Sequence, residues 1–196
     1  MCIEAGNSME ERRFDPQHRH ALLNAQRRRR WNPPDFLTRL GLQAGQTVLD
    51  LGCGPGFWTL PLADIVGPSG TVWALDASQE MLDALAERHP PPQVRLLRGE
   101  LPAIDLPEAS VDWVWAAFVF HEVEPPEQLA AEIRRVTRAS GRIAILDWRP
   151  DPKSDDGPPR SHRLWPGQIS DHLRSAGFRH VVHTWRDGDA YLVEAT

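Results

Sequence analysis

The chain has 196 residues, 41% hydrophobic and 25% charged, the balance of a soluble globular protein with room for one sizeable core and no second large domain. Its formal net charge of -5 excludes a global attraction to polyanions. The only two cysteines, Cys2 and Cys53, exclude a disulfide framework and suit a reducing compartment. The opening stretch MCIEAGNSMEERRF has no secretory apolar core, and nothing approaches the ~18 apolar residues of a membrane span. The expectation is a soluble, cytoplasmic protein.

Residues 1–13 lack apolar periodicity and read as a disordered tail. Helical spacing runs from Arg19 to Leu40, with Pro33 and Pro34 dividing a first segment around Leu22, Leu23 and Ala25 from a second at 35–40. Residues 14–44 are therefore expected to be helices that precede a core unit at 45–196. Short apolar runs then alternate with helix-like segments: strand 47–51, helix 57–66, strand 71–75, helix 78–88, strand 94–97, strand 112–118, helix 126–138 and strand 142–147. That alternation predicts an α/β fold, a parallel sheet with helices on both faces. Residues 168–176 read as a further helix capped by Gly177, and 178–185 and 190–194 as strands joined by the turn signal RDGD, an antiparallel terminal hairpin. The Pro-rich stretch 147–168 is too long for a simple link and is expected to act as a lid or pocket wall.

The first strand runs into DLGCGPG at 50–56, which puts three alternate glycines at the carboxyl end of a buried strand, where backbone can come close to a ligand. Asp76 follows the second strand, 20 residues after Gly56, where a carboxylate can accept from both ribose hydroxyls. Together they imply a nucleoside ligand. A dinucleotide GxGxxG motif starting at Gly52 would need glycine at position 57, which is Phe57, and no GxxxxGK phosphate loop is present.

The segments VLDLGCGPG, ALDAS, GELPAIDLPEASVDWVWAAFVFHE and ASGRIAILDW resemble, in order, the motifs of class I S-adenosylmethionine-dependent methyltransferases, over roughly residues 46–148. Within that class the chain is similar to the ubiquinone/menaquinone C-methyltransferase-like group of small-molecule enzymes. The resemblance implies a Rossmann-like, doubly wound sheet of seven strands in the order 3-2-1-4-5-7-6, with S-adenosylmethionine as donor and S-adenosylhomocysteine as product. It places Gly52, Cys53, Gly54 and Gly56 under the cofactor, with Asp50 bracing the loop and Asp76 on the ribose. Ala77 and Met81 would flank the adenine, Glu100 and Leu101 would meet its edge, and Ala117 and Phe118 would lie near the methyl donor. The helices at 14–44 would cover the cleft.

Methyl transfer needs a base only when the acceptor must lose a proton; the candidates are His121, Glu122 and Asp147, with His121 and Asp147 preferred. Trp113 and Trp115 alternate along one strand and should pack a sheet face, whereas Trp31, Trp58, Trp148 and Trp165 lie nearer the cleft. The run Arg27 to Arg30 reads first as a solvated helix face and second as a contact for the cofactor carboxylate or an anionic acceptor. No metal-ligand spacing occurs, so no metal is expected. The expected partner is a small-molecule acceptor for a monomer or homodimer, with nucleic acid disfavoured. A macromolecular acceptor or a non-catalytic cofactor-binding role are the alternatives.

Overall fold

A computed structural model describes residues 13–196, so of the tail expected at 1–13 only Arg13 falls within them. One sheet is built from β1 (Thr47–Leu51), β2 (Thr71–Asp76), β3 (Val94–Arg98), β4 (Val111–Ala117), β5 (Thr137–Trp148), β6 (Val182–Trp185) and β7 (Ala190–Ala195). The order is β3-β2-β1-β4-β5-β7-β6. Strands β1 to β5 pair in parallel, and β7 runs antiparallel to both β5 and β6. This is the doubly wound sheet with a reversed terminal hairpin implied by the sequence.

The helices among the described residues are α1 (Ala25–Trp31), α2 (Pro33–Thr38), α3 (Thr59–Val66), α4 (Gln79–Ala86), α5 (Pro126–Val136) and α6 (Pro166–Ser175). Period-two alternation along the strands divides the core between the two sheet faces. Leu49, Val114, Ile143, Ile145 and Val193 pack with Leu129 and Ile133 of α5 and Ile169 and Leu173 of α6. Val48, Val72, Trp113, Trp115 and Leu146 pack on the other face with Trp31, Leu37, Trp58 and Leu62. The bulk of Trp115 is accommodated because its neighbour on β5 is Ala144, a large and a small side chain sharing one layer.

Some boundaries differ from the expectation for local reasons. The first helical segment is a 3-10 stretch, Pro16–Leu23, and it ends because Asn24 turns extended and caps α1, its Oδ1 accepting from Arg27 N–H at 2.8 Å. The helix expected at 126–138 stops at Val136, and Thr137 enters β5 at once, pairing with Val111. β-branched Thr137 suits the strand, and its Oγ1 donates back to Ile133 O at 2.6 Å to close the helix end. The strand expected at 178–185 begins only at Val182. Phe178 is buried in the core, and His180, at φ 47°, breaks the extension.

Candidate active site

Beyond the carboxyl ends of β1, β2 and β4 lies a cleft of about 1080 Å³, at the position where strand order reverses in doubly wound sheets. Its floor is the loop after β1. Gly52, Gly54 and Gly56 adopt φ of 68°, 52° and 82°, values a side chain resists. Their surroundings differ. A Cβ on Gly56 would collide with Leu85 Cδ1 of α4, so this glycine is required by helix packing. A Cβ on Gly54 would meet only Leu22 Cδ1, at 3.6 Å, so its face is left to the cleft. Gly56→Ala is accordingly expected to cost about 2–4 kcal/mol from overpacking and backbone strain. A urea unfolding curve checks it, and a loss under about 1 kcal/mol would show that Leu85 yields.

The loop is held from both sides. Cys53 N–H donates to Leu75 O at 2.9 Å, and Arg88 Nη1 donates to Pro55 O at 2.7 Å and Gly56 O at 2.9 Å. Asp50 does not reach the cleft. It is buried at the end of β1, where Thr59 Oγ1 donates to its Oδ2 at 2.6 Å, tying the loop to the start of α3. Asp76 does line the cleft. Its two oxygens accept from Gly54 N–H at 2.8 Å and Ser78 N–H at 2.9 Å, which uses two of about four lone-pair sites and leaves the rest for a ligand.

Ala77, Met81 and Leu101 line the same end as Asp76. Glu100 sits at the exposed rim, where its carboxylate accepts from Arg13. Ala117 and Phe118 form the opposite end. Phe118 has φ 60°, rare for an aromatic residue, and is fixed there by donation of its N–H to Leu146 O at 2.7 Å. Its ring packs 4.6 Å from Trp148 and 5.3 Å from Trp31, giving this end an aromatic wall.

His121 is 3% exposed and contributes to the cleft lining just past β4. Its Nδ1 lies 2.6 Å from Asp147 Oδ1, and its N–H donates to Asp147 Oδ2 at 3.2 Å. Trp148 N–H also donates to Asp147 Oδ1, at 2.8 Å. The parallel register of β4 and β5 brings these residues together although 26 positions separate them. Glu122 Oε1 is 4.0 Å from His121 Nε2.

Four of these buried carboxyl and imidazole groups favour protonation: Asp50, Asp76, Glu122 and His121, with burial raising Asp76 against the backbone hydrogen bonds it accepts. Burial pushes the Asp50 carboxyl up to about 7 against the Thr59 hydrogen bond, and burial pushes Glu122 up to about 7 against the attraction of His121. For His121 burial pulls down, but the charge of Asp147 and the hydrogen bond to it raise the value overall. In each case the folded value lies above the unfolded one, so the stabilisation is complete below the unfolded value and is lost as pH rises through the folded one. Asp189, held low by amides of the 147–168 stretch and by Arg30 despite its burial, acts in the opposite sense, but its contribution is already complete above about pH 4. Stability is therefore expected to fall by a few kcal/mol between pH 5 and 8, since each tenfold difference in proton affinity between the folded and unfolded chain is worth about 1.4 kcal/mol. Denaturant midpoints across that range test this; a flat or rising profile would refute it.

The cover of the cleft was only partly legible. Arg27 to Arg30 do not share one solvated face: Arg28 and Arg29 are exposed, whereas Arg27 and Arg30 turn inward beside Trp31. Arg30 bonds Asp187 (Nε, 2.8 Å), Asp189 (Nη2, 3.0 Å) and Asp156 (Nη1, 3.4 Å). The 147–168 stretch puts Asp156, Gly157, Pro158, Pro159 and His162 on the cleft wall. It is stapled by buried Arg163, which donates to the carbonyls of Pro158, Arg149 and Asp156 at 2.9, 3.1 and 2.6 Å. Sequence reasoning missed Arg163 and the Arg30 cluster. The signal for Arg27 and Arg30 was present, since Arg27 lies three residues before Arg30 and four before Trp31, spacings that share a helical face. Trp31, Trp58 and Trp148 line the cleft, whereas Trp165 is exposed. No described helix is long and apolar enough to cross a membrane.

Residues 48–141 match the family model described as a methyltransferase domain. A solved S-adenosylmethionine-dependent methyltransferase from Aquifex aeolicus is 33% identical, with a TM-score of 0.84 over 93% of this chain and 98% of that one. The chain belongs to the class I S-adenosylmethionine-dependent methyltransferases. Other members of this methyltransferase class match over part of the sequence. Demethylmenaquinone methyltransferase from a Geobacillus strain is 30% identical over 131 residues, 65% of this chain and 56% of that one. A second, from Lysinibacillus sphaericus, is 32% identical over 114 residues, 58% of this chain and 49% of that one. The chain thus spans about half the length of these curated relatives.

Proposed function

We propose that this methyltransferase binds S-adenosylmethionine across the loop at 50–56 and transfers its methyl group to a small-molecule acceptor by in-line displacement. The observation that carries the reading is the convergence, in one cleft, of the open backbone at Gly54 and a carboxylate, Asp76, with spare acceptor sites. Asp76 would hold the ribose hydroxyls. Ala77, Met81 and Leu101 would flank the base, and Gly52, Cys53 and Gly54 would underlie the amino-acid portion, with Ala117 and Phe118 beside it. Glu100 would reach the adenine edge only by releasing Arg13. Asp50 and Gly56 serve the loop from behind it.

When bound, S-adenosylmethionine supplies a methyl carbon already activated by positive sulfur, so the protein contributes alignment and exclusion of water. Trp31, Phe118 and Trp148 would orient the acceptor, with the helices at 14–44 and the 147–168 stretch closing over it. His121 would serve acceptors that must lose a proton. With Asp147 engaging Nδ1, Nε2 is the nitrogen available to accept it, and Asp147 would stabilise the resulting imidazolium. The names of the demethylmenaquinone-acting relatives support a small acceptor.

Titration calorimetry with S-adenosylmethionine tests the donor half, and appearance of S-adenosylhomocysteine with a panel of small quinols and phenols tests the transfer. Absence of binding by folded protein at millimolar cofactor would sink the proposal.

A further inference from the structure

Arg27 projects from α1 into the cleft, yet none of the described residues supplies it a carboxylate within salt-bridge distance. Its Nε is shut off from solvent and has no hydrogen-bond partner. Its guanidinium carbon lies 5.1 Å from the ring centres of both Phe57 and Phe118, so two aromatic faces flank it. Neighbouring cations are accounted for: Arg30 has three aspartates, Arg13 has Glu100, and Arg88 clamps the loop carbonyls. Burial, and then the charge of Arg30, pull the Arg27 guanidinium down to about 10. An unpaired donor and an uncompensated charge in such a place are costly, and an anion entering the cleft would offset the charge.

Sheet order says which part of a ligand arrives there. β1 lies between β2, which carries Asp76, and β4, which leads into Phe118. A nucleoside held by Asp76 and crossing the glycine loop brings its other end over β4, beneath Arg27. Building on the cofactor reading above, we infer that Arg27 is the carboxylate-binding residue for the amino-acid end of S-adenosylmethionine. Phe57 and Phe118 hold the guanidinium fork in place, and the carboxylate supplies the counter-charge that the described residues do not.

The test compares S-adenosylmethionine with its decarboxylated analogue, which keeps the nucleoside, sulfonium and ammonium, by titration calorimetry on the wild type, Arg27→Met and Arg27→Lys. The wild type is expected to bind the intact cofactor about 30-fold more tightly, the worth of a charged hydrogen bond. Arg27→Met should lose that advantage and bind the analogue as the wild type does, which also shows it is folded. Arg27→Lys, with charge but no fork, should fall between. A wild type indifferent to the carboxylate overturns the inference, as do equal losses for both ligands, which would mean a packing role. Unchanged affinity in both variants overturns it too, leaving Arg27 to an anionic acceptor. A wild type that binds neither ligand brings down the cofactor reading itself.

Discussion

Asp147→Ala is expected to lower the thermal midpoint by about 10 °C, since removing one partner of a buried charged pair costs about 3–5 kcal/mol, and a domain of this size loses about 2–4 °C per kcal/mol. Asp147 is fully buried and accepts from two backbone amides besides meeting the His121 ring. Alanine would orphan all three groups at once. Asp147→Asn keeps one carbonyl oxygen for the amides and should lose only part of the stability. In both variants the His121 value should drop, because burial would remain while the counter-charge is gone. Scanning calorimetry, with NMR titration of the ring, reads both effects. A midpoint within about 3 °C of the wild type would mean that the pair matters little to the fold.

Asp76→Ala is expected to weaken S-adenosylhomocysteine binding by about 30- to 150-fold, or about 2–3 kcal/mol. Two losses combine. The carboxylate that would accept from the ribose disappears, and Gly54 N–H loses its 2.8 Å acceptor, releasing the turn on which the ligand would lie. Ser78 continues to cap α4 through its own hydroxyl, 3.3 Å from Met81 N–H, so the helix should persist and the thermal midpoint should move much less than in Asp147→Ala. Calorimetric titration decides it: unchanged affinity would mean that the ribose is recognised elsewhere.

The glycine loop and Asp76 were legible because each depends on local chemistry, namely positive φ at alternate positions and a carboxylate ending a strand. The sheet was legible because period-two runs alternated with breakers. His121 and Asp147 could be read only as the ends of two separate elements; their 2.6 Å contact is a product of β4–β5 register, which no short window of sequence encodes. The arginine run misled for a different reason. Four consecutive helical residues point in four directions, and docking against the aromatic cluster decides which two are enclosed. Arg163 likewise carries its weight through carbonyls of an irregular stretch, for which there is no periodic signal.

Arg30 lies in α1, before the first strand, and meets Asp189 159 positions later, in the turn entering the last. The roof of the cleft is therefore joined by one of the longest-range contacts in the chain, while its floor is made of neighbours. Synthesis must have reached Asp189 before this roof can close, because two of the three acceptors of Arg30, Asp187 and Asp189, lie at the terminal hairpin. Long-range closure of this kind comes late and is slow.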